Sequence, residues 1–394
     1  MKKKIVETFA GIGSQAKALE RLKKDFPKFD YEITHTCEWF VDAIIGYAAI
    51  HNNLKSPEYL KYYNEDIKKI TLELKRLNIS QNSKEPLRAI GSLSEERQRR
   101  VYASIKVNKN LVDITTVSGT SFADNNIDLL TYSFPCQDLS IAGKGKGMAV
   151  DSNTRSSLLW HIERILSELH EQKNLPQYLL MENVSAITHK KHKESLEFFK
   201  SSLNNLGYTN LEFILDAADF GIPQSRKRYF LISKLNDPSF NLNFNDLNIK
   251  SAPFAKYIDL KAMTPTNRHE LYVAAIKAQI DREKITEPLK VKYKNLNVYP
   301  TFNQANIVTG LDCHNIATIT FSGENSRQRI LTIKRGKFRV LNLGAKENLL
   351  LMGFDKRDYA KMLKQEITTE KIRSLAGNSI VVDVLYNIFK KIFT

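Results

Sequence analysis

Near its start the chain reads Ile5-Val-Glu-Thr-Phe-Ala-Gly-Ile-Gly-Ser14. The apolar pair Ile5-Val6 predicts a short buried strand, and the amphipathic pattern over Gln15–Lys24 predicts the helix that follows it. Two glycines between strand and helix allow the backbone to turn tightly against a ligand. The stretch lacks the Gly-x-Gly-x-x-Gly spacing, and no phosphate-binding lysine follows it, so it favours a nucleoside cofactor over one with a pyrophosphate.

The alternation of short apolar runs and amphipathic segments continues to about Ser233. The apolar runs predict strands at Ile5-Val6, Ile33–Cys37, Leu111–Ile114, Asp128–Tyr132, Tyr178–Met181, Leu211–Leu215 and Tyr229–Ser233. The amphipathic segments predict helices at Gln15–Lys24, Val41–Ile50, Ser156–His170 and Lys193–Leu206. This order predicts an α/β fold with a Rossmann-like, doubly wound and mostly parallel sheet that binds ligands at the carboxyl ends of its strands.

Two regions depart from this pattern. Ser56–Asn110 is charged and helix-prone, with a capping-box pattern at Ser92–Glu95, and we interpret it as an inserted surface segment. From Asn236 to about Tyr299 the polarity is mixed and prolines are frequent, which indicates a second domain. We therefore expect a first domain over residues 1–235, a smaller mixed domain and hinge over 236–364, and a C-terminal helix over 365–394 that returns to the first domain.

Composition restricts the class of protein. Among 394 residues, 59 Lys and Arg against 43 Asp and Glu give a formal charge of +16, which favours a polyanionic partner, although an AT-rich genome also enriches lysine. Three widely spaced cysteines predict neither a disulfide framework nor a metal site. The sequence shows no signal peptide and no long uncharged run, so we expect a cytoplasmic protein without a membrane segment.

One cysteine stands in an unusual context, in Thr131-Tyr-Ser-Phe-Pro-Cys-Gln-Asp-Leu-Ser140, which precedes Gly143-Lys-Gly-Lys-Gly147. A strand there would deliver the thiol of Cys136 to a glycine-rich loop, where it could reach a substrate. A single free cysteine is more often a small core hydrophobe, so its position alone does not settle its role.

Polar residues stand at the ends of several predicted strands. Glu38-Trp39 offers a carboxylate for ribose hydroxyls and an indole for an adenine, although a solvated Glu and a core Trp are the commoner roles. Asp113-Ile114 follows the predicted third strand and could contact the adenine. An arginine bound to a buried Glu182 would hold that carboxyl for proton chemistry, and Arg226 and Arg228 precede the last strand at alternate positions.

Taken in this order, these segments resemble the DNA (cytosine-5) methyltransferases. The resemblance covers most of the chain outside about 55–110 and 236–315, and it includes Arg339–Phe354 and a turn at Gly377–Ile380 that we expect to open a helix. Three segments are similar in sequence to the CpG-modifying enzymes of mollicutes: Tyr132–Ser140, Leu179–Val184 and Ser322–Arg327. Upstream of Ser322 the sequence departs from those enzymes, so the resemblance leaves the recognition sequence open, CpG being one candidate.

The resemblance implies a fold, a cofactor and an active site. It implies the S-adenosylmethionine-dependent methyltransferase fold, a target-recognition domain after the first domain, and a thiolate of Cys136 that attacks C6 of a cytosine. Glu182 would bind the base at N3 and its amino group, and Arg228 would bind O2 and orient Glu182. The residues implied to bind S-adenosylmethionine are Phe9, Ala10, Gly11, Ile12, Gly13, Glu38, Trp39, Asp113, Ile114, Pro135, Asn378 and Ser379.

The resemblance also implies double-stranded DNA as the partner. The target cytosine must leave the stacked duplex, and the loop from Gln137 to about Arg155 would close over it. The residues implied to contact DNA are Gln137, Ser140, Lys144, Lys146, Thr318, Arg327 and Arg329. Arg226 is placed with the catalytic residues Cys136, Glu182 and Arg228, where it would serve as a loop or phosphate contact. We expect a monomer, and the sequence leaves open whether a separate restriction endonuclease accompanies it.

Other functions compete with DNA methylation. A tRNA cytosine-5 methyltransferase would use the same chemistry, but the long segment between Arg228 and Arg339 favours DNA because it has room for a recognition domain. A non-catalytic DNA-binding protein of the same fold is disfavoured by the intact Cys136, Glu182 and Arg228. A nicotinamide oxidoreductase, the generic alternative for this sheet, does not explain Pro135-Cys136-Gln137.

Overall fold

The structure is a computed structural model. It describes residues 2–122, 126–135, 155–247, 249, 252, 254–259, 263–266, 270, 272–274, 292–293, 296–299, 315–319, 328–334 and 337–394. The chain divides into two compact units. The first comprises residues 1–215, 227–246 and 385–394, and the second comprises residues 216–226 and 247–384. The functional division at residue 235 stays a prediction, because compactness alone assigns no function.

The first unit contains a six-stranded sheet among the described residues. Its strands, in chain order, are β1 (Lys3–Thr8), β2 (Tyr31–Cys37), β3 (Leu129–Tyr132), β4 (Tyr178–Val184), β5 (Tyr208–Asp216) and β7 (Lys227–Leu235). They lie in the order β2-β1-β3-β4-β7-β5. The pairs β1/β2, β1/β3 and β3/β4 are parallel, whereas β4/β7 is antiparallel. The predicted α/β fold with a mostly parallel sheet is confirmed.

Four predicted helices pack with this sheet. They are α1 (Ser14–Asp25), α2 (Val41–His51), α6 (Leu159–Glu171) and α7 (Lys190–Asn205). Strand residues such as Val6, Leu130 and Met181 share one core with Ile162, Leu166 and Phe199 of the helices. The apolar spacing of α6 and α7 places these side chains on a single helix face, which is why the periodicity predicted both helices.

The inserted segment is helical, as predicted. It contains α3 (Pro57–Tyr63), α4 (Ile67–Lys75) and α5 (Glu95–Val107). The cap of α5 differs from the prediction, because Ser94 and not Ser92 is the N-cap residue and accepts a hydrogen bond from the Arg97 N–H. Glu95 is thus the first helical residue, where a negative charge favours the helix dipole.

The predicted strand at Leu111–Ile114 is wrong. Only one parallel bridge forms there, between Thr36 and Asn110, and the N–H of Leu111 donates to the carbonyl of Thr36 at 2.9 Å. The backbone then leaves the sheet because Val112 adopts a positive φ of 62°. The third strand of the sheet in chain order is Leu129–Tyr132.

The second unit has smaller sheets and C-terminal helices. Strand β6 (Gln224–Ser225) pairs in parallel with β10 (Ile316–Ala317). The antiparallel sheet β12-β11-β9-β8 comprises β8 (Lys292–Tyr293), β9 (Leu296–Tyr299), β11 (Arg329–Lys334) and β12 (Lys337–Asn342). The helices are α8 (Ala345–Leu351), α9 (Lys356–Lys364), α10 (Thr369–Asn378) and α11 (Val382–Phe393), the last of which continues into the first unit.

Candidate active site

The turn between β1 and α1 has an unusual backbone. Phe9, Gly11 and Gly13 have φ values of 54°, 55° and 79°, in the left-handed region that favours glycine. Gly13 is the N-cap residue of α1, and a Cβ there would collide with the ring of His51. At Gly11, by contrast, a Cβ would meet no atom within 4 Å. The predicted glycine turn is therefore present, and the space beside Gly11 is open.

Glu38 closes this turn from the end of β2. Its Oε2 accepts a hydrogen bond from the Gly11 N–H at 2.9 Å, and its Oε1 accepts one from the Phe40 N–H at 2.8 Å. Ala10 joins the same strand end, since its N–H donates to the carbonyl of Cys37 at 3.2 Å. A carboxylate fixed beside an open glycine turn suits a ligand with two neighbouring hydroxyls, so these residues fit the ribose of the expected cofactor.

Glu7 lies on β1 just before the turn and was not singled out by the sequence. Its side chain is fully buried, and Oε2 accepts a hydrogen bond from the hydroxyl of Tyr47 at 3.0 Å. It also accepts a hydrogen bond from the N–H of Ala16 in the first turn of α1. Burial raises the pKa of Glu7 to about 8, and the two hydrogen bonds oppose that shift. Glu7 therefore links β1, α1 and α2 beneath the turn.

The three residues expected around the adenine differ in their burial and in their hydrogen bonds: Trp39, Asp113 and Ile114. Trp39 is half-buried, and its carbonyl accepts a hydrogen bond from the Ser80 N–H at 2.8 Å. Asp113 is half-buried, with Oδ1 accepting from the N–H and the hydroxyl of Thr115 at 2.9 and 2.8 Å. Ile114 belongs to the hydrophobic core. Of the Asp113-Ile114 pair, only the carboxylate is thus placed to contact a polar group of a ligand.

The segment that follows β3, where the nucleophile is expected, is hydrogen-bonded to β4. The Nδ2 of Asn183, a buried residue of β4, donates to the carbonyl of Phe134 at 3.1 Å. Phe134 immediately precedes Pro135, which is half-buried. The predictions for Cys136, Gln137, Ser140, Lys144 and Lys146 lie outside the described residues. Asn183 thus fixes the backbone two residues before Cys136, and the strand pattern gave no signal for this bond.

Glu182 and Arg228 form the predicted ion pair. The Nε of Arg228 lies 3.3 Å from Oε1 of Glu182, and the two side chains are only 16% and 11% exposed. The antiparallel register explains the contact, since Glu182 is opposite Phe230 and Arg228 is opposite Val184. Nη1 of Arg228 also donates to the carbonyl of Lys227 at 2.8 Å. A carboxyl with a fixed cationic partner is therefore held at the carboxyl end of β4.

Arg226 has a different environment from the one predicted. Arg226 belongs to the second unit and is 3% exposed. Its Nη1 donates to the carbonyl of Ile319 at 2.7 Å. Its Nη2 donates to the carbonyls of Gly377 and Ser379 at 3.0 and 2.8 Å. These contacts do not support the expected catalytic or phosphate-binding role, because the guanidinium is buried against backbone carbonyls. They make Arg226 a positioning residue for the turn after α10.

The predicted turn at Gly377–Ile380 follows a helix and does not open one directly. Asn378 is the exposed last residue of α10, and α11 begins only at Val382. Ser379 is buried, and its hydroxyl donates to the carbonyl of Leu375 at 2.8 Å. Asn378 is thus open to a ligand, whereas the Ser379 hydroxyl is engaged within the helix.

Two residues of the second unit that are expected to contact DNA, Thr318 and Arg329, are engaged in contacts within the protein. Thr318 is half-buried, its hydroxyl donates to the carbonyl of Ser225 at 2.7 Å, and its own carbonyl accepts from Gln328. Arg329 is 2% exposed and stacks on the ring of Tyr272, with its guanidinium carbon 4.9 Å from the ring centroid. This burial does not support a DNA contact by Arg329, whereas Arg327 lies outside the described residues.

Solved structures share the fold of this chain. The Entamoeba histolytica methyltransferase EhMeth is similar with a TM-score of 0.59 and 15% identity, covering all of this chain and 98% of that one. The Dnmt2 methyltransferase of S. pombe is similar with a TM-score of 0.53 and 18% identity, covering 98% and 97%. At such identities the likeness establishes the fold alone, which is the α/β methyltransferase fold that the sheet order and the glycine turn indicate.

Sequence comparison identifies the family. Residues 90–394 match the family of C-5 cytosine-specific DNA methylases. The chain is 38% identical to the orphan methyltransferase M.SssI of Spiroplasma monobiae, covering 99% of this chain and 97% of that protein. It is 33% identical to the type II methyltransferase M2.ScrFI of Lactococcus lactis subsp. cremoris, covering 99% of each. The chain belongs to the C-5 cytosine-specific DNA methylase family, whose members generally use S-adenosylmethionine and act on DNA.

None of the described helices combines the length and the apolar character that crossing a membrane demands.

Proposed function

We propose that this enzyme methylates C5 of a cytosine extruded from duplex DNA, through a transient covalent bond between Cys136 and C6. The observation that supports this most directly is the buried Glu182–Arg228 pair, with its 3.3 Å separation, at the carboxyl end of β4. The neighbouring strand β3 leads into Pro135-Cys136, and Asn183 binds the backbone at Phe134. A carboxyl and an arginine on paired strands, and a thiol that follows the neighbouring strand in the sequence, match the groups that this reaction needs.

Cys136 makes the cytosine ring reactive. C5 of cytosine is a poor nucleophile; addition of a thiolate to C6 forms the C6–S bond, breaks the C5–C6 double bond and leaves C5 as the nucleophilic carbon of an enamine with C4 and its nitrogen. C5 then takes up the methyl group, loses its proton to a base, and the C6–S bond breaks to release the thiolate. A free thiol has a pKa of about 8.5, so the site must stabilise the anion or accept its proton during attack.

Glu182 and Arg228 act on the polar edge of the base. The carboxyl of Glu182 binds N3 and the exocyclic amino group, where charge develops as the thiolate adds to C6. Arg228 binds O2 and holds Glu182 in one orientation. Because the two side chains are mostly excluded from water, these interactions are stronger than they would be at the protein surface.

The glycine turn and Glu38 hold the cofactor. Glu38 binds the ribose hydroxyls, Trp39 packs on the adenine, and Asp113 accepts a hydrogen bond from the adenine amino group. Asn378 is a further candidate contact. S-adenosylmethionine, when bound, supplies the methyl group on an electrophilic sulfonium.

DNA recognition belongs to the second domain and the loop after Cys136. Gln137, Ser140, Lys144 and Lys146 contact the backbone around the extruded base. Thr318 and Arg327 lie in the segment that reads the sequence, for which CpG is one candidate core. The enzyme acts in the cytoplasm as a monomer and as part of a restriction-modification system.

A trapping experiment tests the covalent step. The full-length protein is incubated with S-adenosylmethionine and duplex DNA that carries 5-fluorocytosine, which cannot release its C5 substituent as a proton. We expect a denaturation-resistant complex with the wild type and with the control variant Cys313→Ala, and none with Cys136→Ala. An adduct on Cys136→Ala, or its absence from a wild type that binds cofactor and DNA, would exclude the mechanism.

The target sequence is determined separately. Bisulfite sequencing of DNA from a methylation-free host that expresses the wild type reports each methylated cytosine and its neighbours. Methylation confined to CpG would support that candidate core, and methylation at another sequence would replace it. Resistance of that DNA to a co-encoded nuclease would support the restriction-modification role.

A further inference from the structure

The inserted segment (Ser56–Asn110) reaches the candidate cofactor site with its middle, at Asn78 and Ser80, and with its last residue, Asn110. Ser80, which is fully buried, donates its N–H to the carbonyl of Trp39 at 2.8 Å and accepts the N–H of Val41 at 2.8 Å. These two bonds form a parallel bridge beside the residues that follow β2. The insertion is therefore attached to the backbone around Trp39 and is more than a surface elaboration.

Asn110 joins the end of the insertion to Glu38. Its Oδ1 accepts the N–H of Glu38 at 3.0 Å, and its Nδ2 donates to the carbonyl of the same residue at 3.0 Å. The same Oδ1 accepts the N–H of Val112 at 2.9 Å. One nearly buried side-chain amide therefore fixes the backbone of Glu38 and the start of the segment that carries Asp113.

Asn78 joins the middle of the insertion to Asp113. Its Nδ2 donates to Oδ2 of Asp113 at 2.7 Å, while Thr115 binds the other carboxylate oxygen. The buried residues Ile79 and Ser80 follow Asn78 directly and fix its backbone. A neutral amide donor orients the carboxylate without cancelling its charge, so Oδ2 keeps a lone pair for a second donor.

We propose that the inserted segment is part of the cofactor site, with Asn110 and Asn78 as positioning residues that hold Glu38 and Asp113 for the ribose and the adenine. This inference rests on the proposed function of those two carboxylates. Its physical basis is preorganisation: side chains already held in the binding geometry lose less freedom when the ligand arrives. It also gives the insertion a function that its charged, helix-prone sequence did not reveal.

The test measures binding of S-adenosylhomocysteine to full-length variants by calorimetry. Asn78→Ala should weaken binding roughly three- to tenfold, as expected for loss of one hydrogen bond. Asn64→Ala, at the end of α3 in the same insertion, is the matched control and should bind like the wild type.

A second ligand separates positioning from general destabilisation. The purine riboside analogue of S-adenosylhomocysteine lacks the amino group that Asp113 would bind. Asn78→Ala should therefore bind this analogue almost as well as the wild type does, and adding Asn78→Ala to Asp113→Ala should have no further effect on either ligand. Equal weakening for both ligands would show that Asn78 has only a structural role and would overturn its part of the proposal.

Asn110→Asp tests the other contact. The substitution keeps the acceptor for the N–H groups of Glu38 and Val112 but places an oxygen against the carbonyl of Glu38. We expect weaker binding of both ligands to the same extent, because the ribose is common to them, and no further loss when Asn110→Asp is added to Glu38→Ala; a further loss in that double variant would show a purely structural role. Wild-type affinity in the single variant would overturn the role of Asn110.

The outcomes distinguish this inference from the proposed function. A wild type that binds no S-adenosylhomocysteine would refute both. Loss of binding in Glu38→Ala and Asp113→Ala, with wild-type affinity in the Asn78 and Asn110 variants, would refute only the role of the insertion.

Discussion

Glu7 shows how one buried carboxyl sets a pH dependence. Its pKa is raised to about 8 from an ordinary value of 4.5, because burial disfavours the carboxylate. Between these values the folded state binds more protons than the unfolded state, so this group's contribution to stability is complete below pH 4.5 and is lost as the pH rises towards 8.

The first prediction concerns Glu7→Gln. The glutamine is neutral at every pH, so the variant should lose the slope that Glu7 contributes, which is up to about 1.4 kcal/mol per pH unit. Urea unfolding at pH 5, 6, 7 and 8 measures the free energy of unfolding of both proteins. The variant should gain stability relative to the wild type as the pH rises, and a constant difference between the two would contradict the shifted pKa.

For individual residues, the sequence predicted which chemical groups are present better than it predicted the partners that each group binds. The ion pair of Glu182 with Arg228 could be predicted because both residues stand at strand ends, where the register brings them together. The bonds from Asn110 to Glu38 span 72 residues of chain, and no local pattern encodes such a separation. Arg226 has the same residue type and spacing as an exposed arginine, yet it is buried against carbonyls that belong to distant segments.

Among the elements, the turn between β1 and α1 has the strictest requirements. Gly11 and Gly13 both have positive φ, but only Gly13 lies against another side chain. An alanine at Gly11 therefore carries only the cost of the backbone conformation, whereas an alanine at Gly13 also carries the cost of a steric clash.

The second prediction compares Gly13→Ala with Gly11→Ala. Gly11→Ala should cost roughly 1–2 kcal/mol, the price of a left-handed conformation for a residue with a Cβ. Gly13→Ala should cost more, because its Cβ also collides with His51 and lies 2.8 Å from the ring of Tyr47. Thermal unfolding measures both, and adding His51→Ala should restore part of the loss at Gly13 but none at Gly11. Equal melting temperatures of the two glycine variants would contradict this account.

The strands and helices of the first unit were predictable because each buries a regular apolar pattern. Leu111–Ile114 has such a pattern but is not a strand. The side chain of Asn110 takes the hydrogen bonds at the end of β2, and the positive φ of Val112 turns the chain away from the sheet. Side-chain competition for backbone bonds of this kind is invisible to periodicity.

For the whole molecule, the dominant property is charge. The excess of 16 positive charges is spread over a chain whose family acts on DNA. Association with a polyanion releases condensed counterions, so the affinity should depend steeply on salt.

The third prediction is the size of that dependence. If the enzyme neutralises six phosphates, its affinity for duplex DNA should fall roughly a thousandfold between about 50 and 200 mM salt. Fluorescence anisotropy with a labelled duplex measures this slope, and S-adenosylhomocysteine binding, which should change little, is the control. A slope near zero would show that the basic residues do not contact the DNA backbone.

The attachment of the insertion to Glu38 and Asp113 has a consequence for cofactor loading. On the role proposed for Asn78 and Asn110, substitutions in a segment outside the sheet would change how much of the enzyme is loaded with cofactor at a given cellular concentration, while the thiol, the carboxyl and the arginine stay as they are. In an engineered enzyme, Asn78 and its neighbours would then be where cofactor affinity can be adjusted without altering the residues that bind the target base.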